Sequence, residues 1–319
     1  MRQIHRHANV ALPNKSLQER TGSERPAAEL KRFRRPTTQE SDMVTANVPS
    51  GPTFKQQELA GWDAKANAYD DYAGKITTQI AGPLLDAAGV RPRTRVLDVA
   101  CGPGHLAGVA AGRGANAVGI DFAPSMVGEA KKDFPAADFR HGDAEALQFD
   151  PDSFDAVVCG FGLGHFPEPD KAISEAHRVL RPGGRYAFSW WCSPDKHEFF
   201  ALVFGALKAH GNLEVSLPPA PPIFRFSDPA ECKRALLSAG FTDIEVREHP
   251  LTYELQSPQQ ALDLIYKSSV RMAMVLELQT KEALGRIHEA ILNGVQAHKS
   301  KGGFRIGWPA IVVSGKKPS

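Results

Sequence analysis

The sequence predicts an α/β fold: a doubly wound, mostly parallel sheet with helices on both faces. Two observations carry that expectation. From residue 94 to 190, short apolar runs alternate with stretches of helical periodicity, the pattern of strand–helix–strand units that builds a parallel sheet. Four consecutive strand ends also finish in acidic or glycine-rich turns: Asp98 to Gly104, Asp121, Asp143, and Gly160 to Gly164. Open α/β sheets bind ligands at the carboxyl ends of their strands.

In chain order, Gly61 to Tyr72 reads as a helix and Thr77 to Ala88 as a second. Strands follow at 94–99, 116–121, 137–140, 154–159 and 184–190, separated by helical stretches. Residues 191–226 break the rhythm. Trp190-Trp191-Cys192-Ser193-Pro194 opens them, a helix is expected near 197–210, and the prolines between Leu217 and Ile223 form a stiff extended stretch. Ser227 to Gly240 has a helix start, an amphipathic body and a glycine stop. Phe241 to Glu248 is a sixth strand, and helices at about 258–275 and 279–299 separate it from a last strand at Trp308 to Gly315.

The chain has 319 residues, 42% hydrophobic and 23% charged, with a net charge of +2 that singles out no partner. No apolar run approaches the ~20 residues of a membrane span. Four cysteines (101, 159, 192, 232) show no C-x-x-C pairing, so neither zinc nor a disulfide framework is indicated. They read as reduced thiols in a cytoplasmic protein. Residues 1–50 differ in character: they are proline-broken and polar, with nine Lys/Arg against five Asp/Glu over 1–42. This composition predicts a disordered extension, or upstream sequence ahead of a start at Met43. No apolar segment of a secretory signal follows the charges.

The turn Asp98-Val-Ala-Cys-Gly102-Pro-Gly104-His105 is the most informative stretch. Gly102 and Gly104 let main chain and ligand touch, and a helix beginning near His105 would aim amide donors at a carboxylate. Asp98 is placed to receive an ammonium group, so both ends of an amino-acid-like ligand are matched. Gly102-x-Gly104-x-x-Ala107 also satisfies the loose dinucleotide fingerprint. Asp121, after a second strand, is placed for ribose hydroxyls. Asp143 is placed for the exocyclic amine of adenine, with Ala144 or Phe122 against the ring.

Together, Asp98-x-x-x-Gly102-x-Gly104, Gly119-Ile120-Asp121, Gly142-Asp143-Ala144 and Leu180-Arg181-Pro182-Gly183-Gly184 resemble class I S-adenosylmethionine-dependent methyltransferases, in the small-molecule branch that includes ubiquinone/menaquinone-biosynthesis types. The resemblance covers roughly 60–190, and 225–319 more loosely. It implies a Rossmann-like seven-stranded sheet of order 3-2-1-4-5-7-6 with strand seven antiparallel, and S-adenosyl-L-methionine as cofactor. It implies one methyltransferase domain over 51–319, with a helical lid built from 191–226 and 258–299. The cofactor set it implies is Asp98, Ala100, Gly102, Gly104, Asp121, Phe122, Asp143, Ala144 and Phe161. Tyr69, on the leading helical segment that closes over the cofactor, is a further candidate or a core aromatic.

Methyl transfer from a sulfonium needs binding, orientation and exclusion of water more than an acid–base dyad. A hydroxyl acceptor would be helped by a base, for which His165 is the candidate; a structural role in the loop is the other reading. His105 is expected to line the cofactor. The loop after strand four lacks the Asn/Asp-Pro-Pro-Tyr/Phe pattern of nucleobase amino-methyltransferases, and no basic stripe with interleaved aromatics is seen. Methyl transfer from S-adenosylmethionine to an O, N or C atom of a small, apolar organic acceptor is therefore expected, and to nucleic acid is not. Two other readings stand: a nicotinamide-dependent oxidoreductase, and a catalytically inactive protein that binds S-adenosylmethionine.

Overall fold

The computed structural model describes residues 51–319; the expectation for residues 1–50 lies outside them. Helix α1 (Phe54–Lys65) starts where Thr53 and Gln56 form a reciprocal capping box, which satisfies two otherwise orphaned amides. It begins earlier than the expected Gly61. The chain stays helical but changes pitch, through a 3-10 turn at Ala66–Ala68 and a π turn at Asp70–Gly74. The short α2 (Lys75–Thr77) and α3 (Ala81–Ala87) follow. A π turn beside Tyr69 is the kind of irregularity that gathers at functional sites.

The sheet is then laid down by β1 (Arg95–Val99), α4 (His105–Gly112), β2 (Asn116–Asp121), α5 (Pro124–Asp133), β3 (Asp138–His141), β4 (Phe154–Gly160), α6 (Pro169–Val179) and β5 (Leu180–Trp191). Its strands are apolar on both faces: Leu97, Val157, Val158 and Phe188 are all buried, as a sheet covered by helices on each side requires. After α7 (Glu198–His210) and α8 (Pro229–Ser238) come β6 (Thr242–His249) and β7 (Thr252–Leu255). Helices α9 (Gln259–Ser268), α10 (Arg271–Glu277) and α11 (Lys281–Val295) precede β8 (Lys299–Ser300), β9 (Gly303–Gly307) and β10 (Ala310–Lys316).

The main sheet has the order β3-β2-β1-β4-β5-β10-β6. Strand β10 runs antiparallel to both β5 and β6, so it is the expected seventh strand in the expected slot. Two features differ from the sequence reading. The expected helix at 258–275 is broken at Ser269–Val270, where Ser269 is extended (φ −130°, ψ 134°). There Ser268 Oγ donates to Leu264 O at 2.6 Å, the local side-chain bonding with which serine competes against helix continuation. A second, three-stranded sheet (β7-β9-β8) was not anticipated. Its strands are short and its main pairing joins Thr252 to Gly307 across distant sequence, so no local signal marks it. Among the described residues, no helix is long and apolar enough to cross a membrane.

Candidate functional site

Three neighbouring cavities open at the carboxyl edge of the sheet, and Ala100 lines all of them. The first, of about 60 Å³, lies over the glycine turn and is lined by Asp98, Gly102, His105, Tyr69 and Phe161 among others. The second, of about 10 Å³, lies between the ends of β2 and β3 against Phe122, Asp143 and Ala144. The largest, of about 160 Å³, joins them through Gly102, Asp121 and Phe161 and extends into an aromatic chamber.

Backbone geometry explains the opening. Gly102 has φ +53° and a side chain there would meet nothing within 4 Å, so it would stand in the cavity itself. Ala100 and Phe161 also hold positive φ, 56° and 57°, a strained conformation for residues with a Cβ. Both lie at the cavity wall, and nothing in the sequence marks them as strained. Gly104, with φ +92°, caps α4 from behind; a Cβ there would lie 2.7 Å from the Phe139 ring. It lines none of the three cavities, and its lack of a side chain lets helix α4 pack closely on Phe139 and Ala130.

The acids at the ends of β1 and β2 are buried and partly bonded. Asp98 is buried, and its Oδ2 accepts the Ala107 amide at 3.0 Å; no hydrogen bond within the described residues engages Oδ1. Burial pushes its carboxyl up to about 8, against the Ala107 bond that favours the ionised form. Asp121 accepts the Gly102 amide at 2.8 Å on one oxygen and the Ala123 amide at 2.9 Å on the other. Each oxygen keeps a second lone pair. Burial also raises this carboxyl. The Tyr69 hydroxyl donates to Thr77 Oγ1 at 3.2 Å, and burial pushes it up to about 12.

Asp143 is less free than the sequence suggested. Lys55 Nζ on α1 lies 2.6 Å from both Asp143 Oδ2 and Glu145 Oε2, and the Glu145 amide donates to Asp143 Oδ1 at 3.0 Å. Burial works against the charge on Asp143, but the ammonium outweighs it and holds the carboxyl below its ordinary value. Lys55 thus tethers α1 to the end of β3. His105 does stand beside the glycine turn, with Nε2 2.5 Å from Asp70 Oδ1.

The large cavity has an apolar far end. Phe161 stacks on Trp191 with ring centres 3.8 Å apart, and Trp190, Phe199, Phe200 and Trp308 continue the wall. Leu264, Ile265, Ser268, Ser269 and Met272, on either side of the helix break, close the opposite side. His197, behind this wall, is fully buried and pushed down to about 3 by burial, so it is neutral. Among the described residues, neither its Nε2 nor Trp308 Nε1, both buried, has a partner.

His165 stands at the junction of the large cavity and the Asp143 cavity. Its Nδ1 lies 2.8 Å from Oε2 of Glu58, an α1 carboxylate only 2% exposed. Trp62 Nε1 donates to the same oxygen at 2.9 Å. Sequence reasoning missed Glu58 and Lys55, because both lie ahead of the helix expected from Gly61 and read as ordinary solvated charges. A residue such as Glu58 is recognised only when its partner, 107 positions away, is seen beside it.

Comparison with known proteins identifies the family. A family model described as a methyltransferase domain matches residues 97–188. The demethylmenaquinone methyltransferase of Renibacterium salmoninarum is 35% identical over 205 residues, covering 58% of this chain and 86% of that protein. The protein of the same name from Paenarthrobacter aurescens is 34% identical over 205 residues, covering 58% and 81%. Among solved structures, phosphoethanolamine N-methyltransferase 2 of Haemonchus contortus superposes with a TM-score of 0.52 at 18% identity, covering 85% of this chain and 62% of that one; this likeness speaks for the fold.

Proposed function

Since the chain belongs to the class I S-adenosylmethionine-dependent methyltransferases, in the menaquinone-type branch, we propose that its aromatic chamber takes an apolar, hydroxyl-bearing ring compound as methyl acceptor. The protein transfers a methyl group from S-adenosylmethionine to a small molecule; of the cofactors the glycine turn admits, the family selects this one over a nicotinamide.

The cavity fits that cofactor. Gly102 leaves open space at the turn, Asp98 Oδ1 answers an ammonium, Asp121 answers a diol, and Phe122 and Ala144 offer apolar contact for a base. Asp143 would reach the base's amine while holding Lys55. When bound, the cofactor supplies a methyl carbon to the acceptor's electron pair, and the carbon–sulfur bond breaks with its electrons left on sulfur. The protein's task is to align the acceptor and keep water out. Phe161 and Trp191 would face the sulfonium, where aromatic rings attract a cation.

The single observation that carries the acceptor class is the continuity of the Asp98–Asp121 cavity with a chamber walled by Trp190, Trp191, Phe199, Phe200 and Trp308. Segments 191–226 and 258–299 supply much of that chamber, which supports reading them as lid elements within one domain over 51–319. The names of the two relatives above support a quinol-type ring. Calorimetric titration with S-adenosylmethionine, S-adenosylhomocysteine and NADH tests the cofactor: the first two should bind and NADH should not. Incubation with 1,4-naphthohydroquinone and methyl-labelled cofactor tests the acceptor class. Binding of NADH alone would sink the reading.

A further inference from the structure

We propose that Glu58 positions His165 as the proton acceptor for the hydroxyl of the methyl acceptor, forming a carboxylate–imidazole pair delivered by helix α1. The inference rests on the methyl-transfer reading and names a residue that neither sequence motif nor family match singles out.

A carboxylate 2% exposed is costly to bury unless it has partners. Both partners of Glu58 Oε2 are side chains at the cavity wall, Trp62 at 2.9 Å and His165 at 2.8 Å. An imidazole that donates Nδ1–H to a carboxylate keeps a bare lone pair on Nε2. His165 lines the large cavity, beside the aromatic chamber. Two indoles fix the ring: Trp62 meets it edge-on at 5.0 Å and Trp190 at 5.6 Å. Nucleophile-activating bases elsewhere are held in the same manner, with a third group setting tautomer and orientation. The other charges that act on the pair are Asp121, at the end of β2, which faces His165, and Arg271 on α10, which faces Glu58.

The proton balance is simple. The acceptor's O–H bond breaks, its proton goes to His165 Nε2, and its electron pair stays on the acceptor for bond formation. The resulting imidazolium is balanced by the Glu58 carboxylate and later returns the proton to solvent. Because Glu58 rides on α1 with Lys55 and Trp62, the base is complete only when α1 is seated over the site.

Three single variants and the double variant E58Q/H165Q test this in the protein. E58Q keeps an oxygen able to accept from both Trp62 and His165 but removes the charge; E58L removes both; H165Q removes the base. Nitrogen-15 NMR of the neutral imidazole should show Nδ1 protonated and Nε2 bare in the wild type, and a shift toward the opposite tautomer in E58L. With 1,4-naphthohydroquinone as probe, E58Q should lower kcat by ~30-fold with KM within about threefold, H165Q by ~100-fold or more, and the double variant no further than H165Q. Cofactor affinity by calorimetry should stay within about twofold in E58Q. A wild-type ring protonated on Nε2, or wild-type turnover in E58Q, overturns the pairing, and the NMR result decides even if the probe is not methylated. Absence of cofactor binding to the wild-type protein would instead strike the methyl-transfer reading.

Discussion

Asp98 is the buried acid at the glycine turn of the proposed cofactor site. Its carboxyl stands at about 8 in the folded protein against an ordinary 3.8, raised first by burial. An acid of this kind holds its proton more tightly when folded, so its contribution favours the ligand-free protein at low pH. That contribution is lost as pH climbs from the ordinary value through about 8. Thermal melts of the ligand-free protein should therefore show D98N gaining on the wild type between pH 6 and 9. A cofactor ammonium beside Asp98 favours the ionised form, so binding below about pH 8 should release a proton, read as a buffer-dependent heat in calorimetry. Gly102→Val should abolish binding and leave a folded protein, because the added side chain occupies open cavity and strains a φ of +53°. Asp121→Ala should weaken binding by about 1.5–3 kcal/mol, the loss expected for hydrogen bonds to a charged group.

Helix α1 links both ends of the proposed site to the proposed lid. It carries Lys55 at the Asp143 end and Glu58 at His165, and a Cβ on its Gly61 would lie 2.5 Å from Val270 at the α9–α10 break. Gly61→Leu should therefore pry α1 from the lid. The expected result is a lowered kcat and a raised KM for the acceptor, with a smaller change in cofactor affinity, since the glycine turn itself is untouched. Steady-state kinetics beside calorimetry separates the two. Equal losses in both would mean that α1 merely holds the domain together.

The order of strands makes the last segment of the chain indispensable. Strand β10 pairs with β5 on one side and β6 on the other, with Ala310, Ile311 and Val313 almost fully buried. Truncation after Gly307 would leave two strand edges unpaired and their apolar neighbours exposed. Such a chain should lose its cooperative thermal transition by circular dichroism, whereas cofactor-site substitutions such as G102V should keep it.

Much of this architecture is legible along the chain, because periodicity and turn chemistry are local. The alternation from 94 to 190, the glycine turn, and the acids at three strand ends are each written within a few neighbouring residues. The helix break at Ser269–Val270, the small β7-β9-β8 sheet, and the strained Ala100 and Phe161 are not, since long-range packing creates them. The same holds for the chemistry. Asp98 and Asp121 announce themselves by their place after strands, but Glu58 and Lys55 look like ordinary solvated charges ahead of the expected helix until folding sets each against a partner some 90 to 107 residues away. Local sequence encodes where a strand ends and what its turn can hold. Which buried carboxylate meets which histidine depends on how distant segments pack, and no short stretch of the chain contains that information.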